Sequence, residues 1–152
     1  RNDVNSYGIE LDQEHVISCV GKGLSVFQSN IDEGLRDFED KSFVGIWADA
    51  VLIHQTKDET IDILADFYKL LEPEGCVFIA VKRGKGEGTR EDDLVEGVKR
   101  HYTYFQKDEL EGLLKEVGFE IEFSLTSEDF RKDEDQSRED IVWVKVCGKK
   151  PK

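Results

Sequence analysis

At 152 residues, with 38% hydrophobic and 36% charged side chains, the chain is long enough for one domain whose core needs no metal or disulfide staple. Its formal net charge of −13 excludes a phosphate-rich partner. A nucleic-acid binder needs a basic stripe, none is seen, and the short basic tail Lys149–Lys152 reads as a solvated chain end.

Cys19, Cys76 and Cys147 are odd in number and widely spaced, with no CxxC pair or Cys/His cluster. That pattern argues against a metal site and for buried, reduced thiols in a cytoplasmic protein. There is no signal peptide and no apolar run long enough for a membrane span. The chain opens on Arg1 and contains no methionine, so an initiator has been removed or more chain stood in front.

Short β-rich runs alternate with amphipathic stretches, the pattern of a parallel α/β sheet. Ser6–Leu11 reads as a strand. Asp12 then caps a helix over Gln13–Gly21, with Val16, Ile17 and Val20 on one face. Leu24–Gln28 is a second strand, and Ile31–Phe38 an acidic turn or short helix. Phe43–His54 is the strongest strand signal, its last third a loop. Asp58 is expected to cap a helix over Glu59–Leu71, with Ile61, Leu64, Ala65, Tyr68 and Leu71 as the core stripe. After a Pro73–Gly75 turn, Cys76–Lys82 is a strand covered on both faces.

Gly84–Arg100 reads as a loop with room for a helical piece. Gln106–Val117 is a helix closed by Gly118. Phe119–Leu125 and Ile141–Cys147 are strands, joined by a charged connection over Thr126–Asp140. The last two strands have no helix between them, so a terminal antiparallel hairpin beside a parallel sheet is expected.

Several strings carry a family likeness. Phe43–His54 (FVGIWADAVLIH) resembles the fourth strand and following loop of class I S-adenosylmethionine-dependent methyltransferases. Leu70–Lys82 (LLEPEGCVFIAVK) resembles the turn into their fifth strand. Tyr102–Leu110 (YTYFQKDEL), with Leu113-Leu114 and Val117–Glu120, resembles their last helix and sixth strand. In the first third, Tyr7–Asp12 (YGIELD), Cys19–Gln28 (CVGKGLSVFQ), Asp32–Leu35 and Asp40–Phe43 resemble the MetW family of methionine biosynthesis. The remainder is closer to general small-molecule methyltransferases, which gives the chain the look of a mosaic.

This resemblance implies a three-layer Rossmann-like α/β sheet, mainly parallel with a C-terminal antiparallel hairpin, in a single domain over 1–152. It implies S-adenosylmethionine as cofactor and a small molecule as methyl acceptor. Glu10, at a strand's carboxyl end, falls on the ribose-binding acid, since a carboxylate accepts both ribose hydroxyls; a solvent-facing strand-end acid is the bland alternative. Leu11 and Ile31 flank the same edge. Asn30 stands where the family has an acid for the adenine amino group, and its side-chain carbonyl can accept that bond; a plain turn residue fits equally.

Asp49 and Ala50 fall on the loop that passes the sulfonium. Val44 departs from the family, which has an acid there. Lys82, Gly84, Gly86, Tyr102 and Tyr104 fall on the substrate side, although the tyrosines also read as core. His54 is a weak candidate for a base, against a hydrogen-bonded structural role. Gly84–Gly88 imitates a phosphate loop but is followed by acids, which repel phosphate.

The family's first strand and glycine-rich turn have no counterpart before Tyr7. In the family's sheet order that strand lies between the one carrying Glu10 and the one at Gly45–Leu52. Three closures follow: direct pairing of those neighbours, a strand donated by another copy in a homodimer, or a longer protein of which this is a piece. Two functions compete: small-molecule methyl transfer, impaired in this chain, and a non-catalytic methyltransferase-like scaffold, natural or engineered. Nicotinamide-dependent oxidoreduction is a third, weakened by the misplaced glycine loop.

Overall fold

The computed structural model of the chain describes residues 5–92, 97–128 and 141–152. It divides into two compact units, 1–39 and 40–152.

In the first unit, β1 (Tyr7–Glu10) and β2 (Ser25–Gln28) pair in parallel, with Glu10 opposite Gln28. The crossover is α1 (Gln13–Gly21), where Asp12 accepts from the His15 amide at 2.9 Å as expected for an N-cap. The helix face differs from the expected one: Val16 and Cys19 are half-buried, while Ile17 and Val20 stand in solvent. α2 (Ile31–Gly34) and a 3₁₀ turn over Leu35–Asp37 follow. Tyr7, Phe27 and Phe38 cluster with ring centroids about 6 Å apart.

The second unit is built on a four-stranded sheet of order β3-β4-β8-β7. β3 (Phe43–Asp49) and β4 (Leu71–Lys82) are parallel. β8 (Val142–Lys149) runs antiparallel between β4 and β7 (Glu120–Glu128), which is the terminal hairpin the sequence predicts. The Pro73–Gly75 turn is absorbed into β4 as an irregularity: Phe43 pairs Leu71 but Gly45 pairs Cys76, and Glu74 takes a positive φ of 67°.

Helix α3 (Lys57–Leu70) starts one turn of logic earlier than expected. Thr56, not Asp58, is the N-cap, and a full capping box joins Thr56 and Glu59. Its buried stripe is Thr60, Ile63, Leu64, Phe67 and Leu70; of the expected stripe, Ile61, Ala65 and Tyr68 are only half-buried. Both stripes have helical spacing. The choice falls to Thr60 because its hydroxyl donates to the Thr56 carbonyl at 2.9 Å, leaving its methyl free for the core.

Helix α4 (Lys107–Val117) ends at Gly118, whose φ of 116° reverses the chain into β7. Alternation along the sheet divides its faces. Val77, Ile79, Val81, Val144 and Val146 are buried on the side packed by α3 and α4. Trp47, Phe78, Cys147 and Phe123 share the other side, where Trp47 is 71% exposed and stacks on Phe78 at 4.0 Å.

Three further expectations are corrected. Residues 84–100 are not a loop: β5 (Glu87–Glu91) and β6 (Lys99–Thr103) form an antiparallel hairpin, with 93–96 outside the described residues. The hairpin escapes notice because the sequence EGTRE has neither apolar alternation nor β-branched bulk beyond one threonine. Lys150 is not a solvated chain end: it is buried, and its Nζ donates to the Tyr68 and Leu71 carbonyls at 2.6 and 2.8 Å. The cysteines are free but half-buried rather than buried.

Of the charged connection over Thr126–Asp140, Thr126–Glu128 extend β7 and the stretch 129–140 lies outside the described residues. Among the described residues, β1 pairs with β2 in the first unit and β3 with β4 in the second.

Candidate functional site

Parallel strands bring their carboxyl ends to one edge, and in the first unit that edge carries four of the expected cofactor residues. Glu10 ends β1 and Leu11 follows it; Asn30 and Ile31 follow β2, whose last residue Gln28 faces Glu10 in the ladder. The Ser29 amide donates to the Glu10 carbonyl at 3.0 Å and the Gln28 side chain to the Leu11 carbonyl at 3.4 Å, which ties the two strand ends together.

The Glu10 carboxylate has two distinct oxygens. Oε1 accepts from the Asp12 amide at 2.9 Å, while Oε2 lies 3.9 Å from His15 Nδ1 and the side chain is 39% exposed. Glu10 is thus oriented by the start of α1 while its side chain stays part-exposed. Asn30 has the extended backbone of an N-cap, but its side chain makes no cap hydrogen bond. Its exposed amide keeps both donor and acceptor capacity for a base edge. These features fit a nucleoside with ribose on Glu10 and a base near Asn30. A shallow polar pocket lined by Asn5, Ser6, Tyr7, Gly23, Leu24 and Ser25 lies at the opposite ends of these strands and contains none of the expected residues.

In the second unit Asp49 closes β3 opposite Ala80, and the Ala50 amide donates to the Ala80 carbonyl at 3.0 Å. Ala50 holds a φ of 58°, a left-handed conformation that costs a non-glycine residue about 1 kcal/mol or more. Strain at the carboxyl end of a parallel strand is where a ligand-facing loop is expected.

His54, Lys82, Tyr102 and Tyr104, scattered over fifty residues of sequence, come together here. The His54 ring meets Tyr102 edge-on at 5.0 Å, and Lys82 Nζ lies 4.8 Å over the Tyr102 ring. Arg90, which sequence reasoning missed, has its guanidinium 4.4 Å from Tyr102 and 5.2 Å from Tyr104. Gly84 is required by close approach, since a Cβ there would meet the Tyr104 side chain at 2.9 Å. Gly86 accepts from the Tyr104 amide at 3.0 Å and leads into β5, not into a helix, so the glycine run is no phosphate loop.

His54 Nδ1 lies 3.0 Å from the His101 carbonyl. A carbonyl only accepts, so Nδ1 carries the proton and the neutral ring keeps its lone pair on Nε2. That tautomer suits both a structural ring and a base. A second polar network, also missed, surrounds it. Glu87 Oε2 accepts from the Lys57 amide at 2.9 Å, with Thr103 Oγ1 at 3.2 Å and His101 Nε2 at 3.5 Å. The bond from the Lys57 amide, above all, holds the Glu87 carboxyl below the ordinary glutamate range, and Thr103 and His101 add to it. Lys57 also pairs with Glu109 of α4. The only advance signal was the alternation of Tyr102, Thr103 and Tyr104.

Among the described residues no three His, Cys, Asp or Glu side chains are placed to hold a metal ion. No described helix is long and apolar enough to cross a membrane.

Residues 1–70 match the family model of the methionine biosynthesis protein MetW. No curated protein matches the sequence. Among solved structures, a methyltransferase of Methanosarcina mazei that depends on S-adenosylmethionine superposes with a TM-score of 0.77 at 16% identity, over 95% of this chain and 81% of that one. One from Archaeoglobus fulgidus gives 0.70 at 16% identity, over 95% and 76%. The 1,6-didemethyltoxoflavin-N1-methyltransferase of Burkholderia thailandensis, solved with 1,6-didemethyltoxoflavin and S-adenosylhomocysteine, gives 0.71 at 18% identity. The chain covers 97% of its own length in that match but 62% of the Burkholderia enzyme. At such identities the likeness is one of fold. The chain therefore has the fold of class I S-adenosylmethionine-dependent methyltransferases, and its first 70 residues match the MetW family model.

Proposed function

We propose that residues 1–152 act as one methyltransferase-like domain that binds S-adenosylmethionine and transfers its methyl group to a small molecule. The single observation that carries this reading is Glu10: an oriented, part-exposed carboxylate at the carboxyl end of a parallel strand whose neighbour leads into Asn30. In this reading Glu10 accepts the ribose hydroxyls, Asn30 takes the adenine amino group, and Leu11 and Ile31 bracket the base. Asp49 and Ala50 line the sulfonium side. The cofactor supplies an already activated methyl group.

What remains for the chain is to align an acceptor for in-line attack. Lys82, Gly84, Gly86, Tyr102 and Tyr104 are assigned to the acceptor. His54 is assigned as the group that takes its proton at Nε2.

Transfer by the chain alone is impaired in this reading. The support for this is the ladder of the first unit, in which β1 pairs with β2 alone among the described residues. A homodimer in which a second copy donates a strand is one route to a complete sheet. The exposure of Val44 (69%) and Trp47 (71%) on the open-edged β3 also supports the second reading, a non-catalytic scaffold that pairs with a partner.

Calorimetric titration of S-adenosylmethionine and S-adenosylhomocysteine tests this. The expected result is heat that does not saturate below about 0.1 mM ligand, and less heat with Glu10→Ala. Micromolar binding refutes the impairment; no difference between wild type and Glu10→Ala refutes the site. Size-exclusion chromatography on the same sample separates a strand-exchanged dimer from a monomer.

A further inference from the structure

The face of the four-stranded sheet turned away from α3 and α4 carries two cysteines that the methyltransferase reading does not use. β4 and β8 pair with Cys76 opposite Lys149 and Phe78 opposite Cys147. Alternation therefore places Cys76 and Cys147 on the same face, one diagonal step apart across adjacent strands, within side-chain reach. Their face is fixed independently by Gly148, whose added Cβ would strike Leu114 of α4 at 2.6 Å; its neighbour Cys147 must point the other way. Both cysteines are free and half-buried, so a small oxidant reaches them.

The two thiols also feel each other. Burial pushes the Cys147 thiol up, the neighbouring Cys76 thiol pushes it further, and the Glu122 carboxylate adds to the effect. Cys147 is thereby kept as a thiol at neutral pH.

We propose that Cys76 and Cys147 form a reversible dithiol–disulfide modification site that staples β4 to β8 on exposure to a peroxide. The Cys76 thiolate attacks one oxygen of hydrogen peroxide; the O–O bond breaks, a proton is taken up, one water leaves, and a sulfenic acid remains. The Cys147 sulfur then attacks that sulfenic sulfur, its own proton leaves with the hydroxide as a second water, and the S–S bond forms. Overall two thiols are oxidised and one peroxide is reduced to two waters. Dithiols reverse the step by thiol–disulfide exchange.

The test uses the reduced chain, treated with hydrogen peroxide, blocked with an alkylating agent and digested. The expected product is a peptide linking Cys76 to Cys147, with Cys19 alkylated and with full reversal by dithiothreitol. Cys76→Ser and Cys147→Ser each lose the linked peptide, while Cys19→Ser keeps it. Sulfinic acid at Cys76 or Cys147 without the link, or a link through Cys19, overturns the proposal. Phenylarsine oxide, which needs two neighbouring thiols, gives a second measurement. The reduced wild type is expected to bind it and both serine variants to lose that binding; equal uptake by wild type and variants overturns the pairing.

Discussion

Lys150 is a cation placed where a helix ends. Its Nζ donates to the carbonyls of Tyr68 and Leu71, at the close of α3, and lies 4.6 Å over the Tyr68 ring. Those carbonyls belong to the negative end of the helix dipole and have no partner further along α3. Lys150→Met keeps the apolar stem but removes both charge-assisted bonds and leaves buried acceptors unpaired. The expected loss is about 3 kcal/mol, read as a lower urea midpoint with an unchanged slope. The role was invisible in the sequence because a lysine-rich end looks solvated and its partners lie some eighty residues away.

At Ala50 the same scale works in the opposite direction. Its φ of 58° is strained for an L-residue, so Ala50→Gly is expected to stabilise the fold by about 0.5–1 kcal/mol, the relief outweighing glycine's entropy. Thermal unfolding of the variant checks the sign.

The hairpin of β5 and β6 is held at the start of α3 by one carboxylate. Glu87 accepts the Lys57 amide in the first turn of that helix, where a negative charge is favoured. Three glutamates are held below the ordinary carboxylate range: Glu59 chiefly by the Thr56 backbone, Glu87 chiefly by the Lys57 backbone, and Glu111 chiefly by the Ser124 side chain. A depressed folded-state value means the folded chain holds fewer protons than the unfolded one in the acid range. Stability from these groups is therefore complete above the unfolded value and fades as pH falls from about 4.5 through the lowered ones. Urea midpoints measured from pH 7 to pH 3 are expected to drop on the acid side, and Glu87→Gln to flatten part of that slope. Had the folded values been raised, the midpoint would rise on acidification instead.

Element identity was legible where period and punctuation agree: Asp12 before α1, Gly118 after α4, and the alternation along β7 and β8. It failed where two helical stripes competed in α3, and where a polar hairpin has no apolar alternation to display. The candidate residues divide in the same manner. Glu10 and Asn30 are expected from strand ends together with the family resemblance, whereas the meeting of His54, Lys82 and Tyr102 with Arg90 depends on a hairpin the sequence conceals.

The two units differ sharply in what holds them. Among the described residues, every apolar side chain that is fully withdrawn from water belongs to 40–152 except Leu35. In 1–39, α1 has no buried residue, and Tyr7, Leu11, Ile17, Val20, Leu24 and Phe27 are each about half exposed or more. A segment under about forty residues with so little buried surface does not fold stably by its own core. β4, by contrast, is flanked by β3 and β8 and packs Val77, Ile79 and Val81 beneath α3 and α4. Amide exchange reads this difference directly, because local opening costs little where few apolar contacts must be broken. The amides of β1 and β2 are expected to exchange at least about a hundredfold faster than those of β4 and β8, a gap of about 3 kcal/mol in opening free energy. If a ligand such as S-adenosylmethionine is held by Glu10 and Asn30, saturating it should slow exchange in β1 and β2 first and leave β4 unchanged. Uniform protection across both units, with or without ligand, would refute the weak core assigned to residues 1–39.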